Sequence, residues 1–187
     1  ADILQDGSDR DLPHLVEKTP RHVRHLDEIR AREPRARFIL MVRDGRDVIA
    51  SFKRRYRKAE PGIERWICDN QTVVREMTSP DCLIVRYESL VADHLGTMRS
   101  VCRFAGVPFD PAMFEYYKTP RLWFGQSRIT PGTGRAGSEH SKLRNWQVNQ
   151  PIFDGRGRWK DDLTDGELSK FLGGEASTLM RALGYEF

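Results

Sequence analysis

Arg43 and Ser51 stand eight residues apart in Phe38-Ile-Leu-Met-Val-Arg-Asp-Gly-Arg-Asp-Val-Ile-Ala-Ser51. Residues 38–42 are a continuous apolar run, short enough for a buried parallel strand. Arg43 closes that strand. Asp44 can cap a following helix, and Gly45 relieves the turn. Ser51 falls about two helical turns further on, where its hydroxyl could reach back toward the arginine. A strand-to-helix junction of this kind aims backbone N–H groups and a guanidinium at one spot, which suits a phosphate. The first expectation is therefore an anion-binding α/β protein.

Other residues could serve the same anion. A second apolar segment ends at Arg86-Tyr87-Glu88-Ser-Leu90. A late basic stretch, Gly155-Arg-Gly-Arg-Trp-Lys160, supplies Arg156 and Arg158. Upstream, Glu17-Lys18-Thr19-Pro20 stands just before a helix, about two dozen residues ahead of Arg43. Read singly, these residues have ordinary structural roles. Arg43-Asp44 and Arg46-Asp47 make plausible surface ion pairs, worth under about 1 kcal/mol. Tyr87 could be a packing residue, Trp159 an anchor for the basic stretch, and Glu88 a helix cap.

The elements that must position these groups follow from periodicity and punctuation. Residues 1–16 are polar and irregular. Thr19 as cap and Pro20 in the first turn predict a helix with an apolar stripe at Val23, Leu26 and Ile29, closed before Pro34. Strand 36–42 and helix 45–57 come next, then a helix from Ile63 to about Met77. Leu83-Ile-Val85 reads as a second buried strand. A helix over 88–105 carries Leu95, Met98, Val101 and Cys102 on one face and stops at Gly106-Val-Pro108. Residues 118–158 lose periodicity, and a final helix runs from about Gly166 to Leu183. Alternating helices and apolar strands predict one α/β domain, a central parallel β-sheet flanked by helices on both faces.

Composition narrows the function classes. The chain has 187 residues, 39% apolar and 31% charged, which suits one globular domain with a real core. No apolar run reaches the length of a membrane span, and the simplest expected location is cytoplasmic, although a clipped lumenal domain would look the same. The formal net charge of +4 favours an anionic ligand without implying nucleic acid. Three scattered cysteines form no C-x-x-C pair, and His22 and His25 lack a third partner, so no metal site is expected. The basic run Lys53-Arg-Arg-Tyr-Arg-Lys58 reads as a solvated helix face, or as a funnel toward Arg43. Gly132-Thr-Gly-Arg-Ala-Gly137 matches a dinucleotide fingerprint, but no apolar strand leads into it.

Taken in order, from about Val16 to Phe187, these motifs resemble the sulfotransferases that use 3′-phosphoadenosine 5′-phosphosulfate (PAPS). V-R-D-G-R-D-V-I-A-S is similar to that family's 3′-phosphate motif, which makes Arg43 and Ser51 the implied cofactor anchors. V-R-Y-E-S-L resembles the second strand end, where a tyrosine approaches the adenine; Tyr87 takes that place. G-R-G-R-W-K-D-D-L-T with L-M-R-A-L-G-Y resembles the C-terminal pattern, in which a basic loop closes over the 3′-phosphate, implicating Arg156 and Arg158. E-K-T-P-R-H resembles the bacterial and Golgi branches, so Lys18 is the implied contact to the 5′-phosphosulfate. The fold so implied is like that of the P-loop nucleoside triphosphatases. The implied reaction moves a sulfuryl group to a hydroxyl or amine, releases adenosine 3′,5′-bisphosphate (PAP) and needs no metal.

One departure stands out. Family members normally begin with a strand and a loop like P-K-S-G-T-T around the phosphosulfate, and nothing upstream of Glu17 has that character. The expectation is that this strand and loop lie outside the given sequence, the alternative being a degenerate member. In several branches the general base is a glutamate soon after that loop, and in the cytosolic branch a histidine two places after the lysine; that place here holds Pro20, leaving Glu17 and His22 as local substitutes. A non-catalytic nucleotide- or polyanion-binding module, or a nucleotide kinase of related topology, remains an alternative reading. The acceptor has no recognisable code in residues 118–150.

Overall fold

The structure is a computed structural model that describes residues 14–119 and 145–187. A 3-10 turn, Pro20–Arg24, leads into α1 (Leu26–Arg32), β1 (Phe38–Val42), α2 (Gly45–Tyr56) and α3 (Glu60–Arg75). Then come β2 (Cys82–Arg86), α4 (Tyr87–Ala92), α5 (His94–Ala105) and a 3-10 segment, Pro111–Lys118. Residues 145–148 are helical, and α6 (Trp159–Asp162), α7 (Asp165–Leu172) and α8 (Glu175–Ala182) close the chain.

β1 and β2 pair in parallel, from Phe38 opposite Cys82 to Val42 opposite Arg86. Side chains alternate along a strand, so Phe38, Leu40 and Val42 share one face. They are buried with Ile63, Trp66 and Val73 of α3, Phe171 of α7, and Leu179 and Met180 of α8. On the other face Val85 is also buried, and α5 packs against β2. The predicted α/β sandwich is thus present. Ile39 and Met41, on that second face of β1, remain 43% and 55% exposed and line an open cleft of about 800 Å³.

Several boundaries differ from expectation for local reasons. Thr19 does not cap a helix; its hydroxyl donates to Glu17 Oε1 at 2.6 Å, and the chain makes a 3-10 turn before α1. The helix expected over 88–105 breaks at Asp93, whose side chain accepts from Gly96 N and starts α5 afresh. The last helix breaks at Gly173-Gly174, giving α7 and α8. Thr164 and Glu167 form a capping box at the start of α7. The Gly132–Gly137 stretch lies outside the described residues, as does most of the aperiodic region.

The beginnings of both strands are tied together by Arg30 of α1. Its Nε donates to Asp81 Oδ2 at 2.7 Å and its Nη2 to Glu76 Oε2 at 2.6 Å, with the guanidinium 5.1 Å from the Phe38 ring centroid. Phe38 N donates to Asp81 O at 2.8 Å, which opens the ladder. The Arg30 hydrogen bond holds the buried Glu76 carboxyl at about 2, against its ordinary 4.5, and also lowers Asp81. A depressed folded-state pKa stabilises the fold fully above the unfolded value, and that stabilisation is lost as pH falls through the folded one. The fold is therefore expected to weaken between about pH 5 and pH 2. Arg30→Ala should cost about 2–3 kcal/mol at pH 7 and flatten that acid decline, both read from urea unfolding at stepped pH.

Candidate functional site

The parallel register decides where the site lies. Val42 pairs with Arg86, so the next residues, Arg43 and Tyr87, emerge side by side at the carboxyl ends of the strands. That edge is where open α/β sheets bind ligands. The Arg43 guanidinium lies 4.4 Å from the Tyr87 ring centroid. Its Nη2 donates to the carbonyl of Gly155 and sits 3.6 Å from Asp47 Oδ2. Arg43 Nε is buried and has no hydrogen-bond partner among the described residues.

The turn that carries Arg43 is held by buried polar groups. Asp44 accepts from Arg46 N at 2.9 Å and caps α2, as the sequence predicts. It also takes the Arg46 guanidinium as a fork, at 3.0 and 2.7 Å. Asp44 N donates to Glu88 Oε1 at 2.9 Å, and Tyr185 OH donates to Glu88 Oε2 at 2.9 Å. Glu88 is therefore a bridge from the C-terminal segment to the β1–α2 turn and not the expected helix cap: it lies inside α4, whose N-cap is Arg86 with no side-chain cap bond. Burial, followed by the nearby Glu88 carboxylate, pushes the Tyr185 hydroxyl pKa well above its ordinary value, which keeps it a donor. Trp66 Nε1 donates to Arg43 O at 3.3 Å from the α3 side.

The basic loop after residue 150 folds against this turn. Tyr87 OH donates to Phe153 O at 2.5 Å and accepts from Gly155 N at 3.1 Å. Asp154 accepts from Arg156 N and forks the Arg156 guanidinium at 3.0 and 2.7 Å, repeating the geometry of Asp44 and Arg46. That contact holds the Asp154 carboxyl at about 2. Arg158 lies 5.3 Å from the Phe153 ring, and both loop arginines are exposed. Trp159 anchors the loop as expected, with Arg46 over its ring at 4.6 Å.

Lys18, Glu17 and His22 lie in the open cleft beside β1, which Arg43 also lines. Glu17 Oε2 meets His22 Nδ1 at 2.7 Å, so the carboxylate orients the imidazole and leaves its far nitrogen to act. Lys18 is exposed. Ser51 is exposed on α2, four residues beyond Asp47 and eight beyond Arg43, hence on the side of α2 that Asp47 presents to the loop. Arg43 thus joins two groups: the cleft with Lys18, Glu17 and His22, and the loop with Tyr87, Arg156 and Arg158. His25 pairs with Glu28, and no three metal-ligating side chains gather among the described residues. The Lys53–Lys58 run is partly engaged in the fold. Lys53 bonds Glu167 at 2.6 Å and Asp162 O at 2.9 Å, while Arg54 pairs with Asp162.

A family model described as the sulfotransferase family matches residues 4–111. The chain belongs to the sulfotransferase family. A solved sulfotransferase domain from the curacin biosynthetic pathway shares the fold, with a TM-score of 0.59 at 21% identity. The match covers 94% of this chain and 64% of that one, so the chain spans under two thirds of the length of that domain. No curated protein matches the chain. The family match takes in Lys18, Arg43, Ser51 and Tyr87 and ends before the basic loop, which reaches the same site only through folding.

Gly45 owes its identity to packing rather than to turn conformation. Its φ is not in the left-handed region; among the described glycines only Gly106, Gly157 and Gly184 adopt positive φ. A Cβ at Gly45 would overlap the Phe171 ring and approach Trp66 Cε2 to 2.8 Å. Gly45→Ala should therefore destabilise the protein by about 1–3 kcal/mol, measured by denaturant unfolding. Wild-type stability in that variant would show that the two rings yield without cost.

Proposed function

We propose that this sulfotransferase moves a sulfuryl group from PAPS to a hydroxyl or amine acceptor and releases PAP. The observation that carries the reading is the setting of Arg43. A guanidinium at a strand end is pinned by a ring and a loop carbonyl, yet keeps a buried Nε without a partner among the described residues, beside a loop bearing two exposed arginines. That donor set suits a phosphate monoester on a ribose. In this reading Arg43, Ser51, Arg156 and Arg158 hold the 3′-phosphate, and Tyr87 borders the adenine.

The bound donor supplies an activated sulfuryl group on a phosphate leaving group. Lys18 places a point charge at that leaving phosphate, since an ammonium neutralises developing charge without demanding a planar partner. His22, oriented by Glu17, takes the acceptor proton, an effect of order 10²–10⁴-fold. Positioning the acceptor in line supplies much of the remaining acceleration. All three cysteines are free, which suits a reducing, cytoplasmic setting.

PAP should raise the thermal stability of the protein, by about 2.7 kcal/mol at a hundredfold excess over Kd. Arg43→Ala should abolish most of that protection, whereas equal protection by AMP would remove the 3′-phosphate assignment. With PAPS and a panel of phenols, sugars and amines, Lys18→Ala should lower turnover about 10²-fold. Binding of PAP without turnover of any acceptor would instead identify a nucleotide-binding module.

A further inference from the structure

Asp47 is the most deeply buried carboxylate next to the site, 2% exposed. Neither the sequence motifs nor the reaction as read above gives it a task. Its Oδ2 accepts from Gly157 N at 2.9 Å and its Oδ1 from Trp159 N at 3.0 Å. Arg43 Nη2 stands 3.6 Å from the same Oδ2. One side chain of α2 thus grips two backbone N–H groups 110 and 112 residues away, and touches the arginine that the loop's own Gly155 carbonyl also engages.

Burying a carboxylate is costly unless donors replace its water. Here the donors are two main-chain amides on either side of Arg158, with Arg43 as counter-charge. Gly157 makes the arrangement possible, because its φ of 75° turns the loop so that both amides point inward. Asp47 therefore fills, from inside the protein, a pocket of loop amides that would otherwise need an anion or water. Arg156 and Arg158 flank Gly157 and are left facing solvent.

We infer that Asp47 is a positioning residue: its buried carboxylate clamps the Gly155–Lys160 loop onto α2 and so presents Arg156 and Arg158 to the nucleotide beside Arg43. The inference rests on the PAP reading for what the loop grips, but not for the clamp itself. Preorganising the loop spares the ordering cost at the moment of binding. The rival physical role has the opposite sign. If Asp47 served only as the counter-charge of Arg43, its removal would free that guanidinium and tighten anion binding.

Amide exchange and PAP affinity in the full chain separate these cases. In the wild type, Gly157 and Trp159 amides should be protected, and Asp47→Asn should release them while β1 amides stay protected. Asp47→Asn should weaken PAP about ten- to a hundredfold. Arg156→Ala and Arg158→Ala should each weaken PAP in the wild-type background but hardly at all in Asp47→Asn, a coupling that a merely stabilising residue would not produce. Unprotected Gly157 and Trp159 amides in the wild type would overturn the clamp without any variant, should Asp47→Asn fail to fold. Tighter PAP binding by Asp47→Asn, or additive losses, would overturn the positioning role. If the wild type does not bind PAP, the nucleotide reading fails, and exchange alone decides whether Asp47 holds the loop.

Discussion

Everything at this site depends on the parallel register of two five-residue strands. Pairing Val42 with Arg86 puts the first residues beyond each strand next to each other, and those residues are Arg43 and Tyr87. A slip of one residue would turn Phe38, Leu40 and Val42 away from α3 and α8 and expose the core. The hydrophobic pattern therefore fixes the register, and the register places a guanidinium against a phenol ring. Arg30 reinforces this from the opposite end by fastening α1 to Glu76 and Asp81, where both strands begin.

The turn after β1 is assembled from charges to an unusual degree. Asp44, Asp47, Arg46 and Glu88 all lie within a few residues of Arg43 or contact its turn, and Asp44 and Asp47 are buried. Each buried carboxylate has specific donors: the α2 N-terminus and Arg46 for Asp44, the loop amides for Asp47. Glu88 likewise takes Asp44 N and Tyr185 OH. Such networks are rigid when satisfied and costly when broken. The same Asp-Gly-Arg triplet recurs at 154–156 with matching fork distances, so both turns that face Arg43 carry an arginine folded back on the aspartate two residues before it. In the first turn the fork is buried and structural. In the second it is exposed, where an ion pair is worth little and can open for a competing anion.

The sequence made the local features legible and the distant ones not. The apolar run 38–42, the Asp44 cap and the Gly106 stop are decided within a few residues, and they appear as expected. The breaks at Asp93 and Gly173-Gly174 are readable in principle, since Asp and Gly-Gly are both breakers; over 88–105 the apolar stripe of Leu95, Met98, Val101 and Cys102 masks the first. Gly45 looked like a turn glycine, but its reason is two rings contributed by α3 and α7, from 21 and 126 residues away. Glu88 looked like a helix cap because its partners, Asp44 N and Tyr185 OH, lie far along the chain. Asp47 carried one usable signal: it sits midway between Arg43 and Ser51 at helical spacing, so whatever anion those two face, Asp47 must face it too.

That placement poses a problem whose solution shapes the site. If Arg43 and Ser51 hold a phosphate as proposed, a carboxylate between them would repel it. The loop amides resolve it by turning both Asp47 oxygens into acceptors that are already filled, and by screening them behind Gly157 and Trp159. The cost of a buried negative charge is thereby exchanged for a fixed loop, and the loop returns positive charge through Arg156 and Arg158. On the far side of Arg43 the groups are looser: Lys18 is exposed, and His22, paired with Glu17, is half-exposed in an open cleft. A site with one rigid, charge-balanced end and one open end fits a donor gripped firmly at a phosphate remote from the chemistry, while the reacting end admits and releases acceptors.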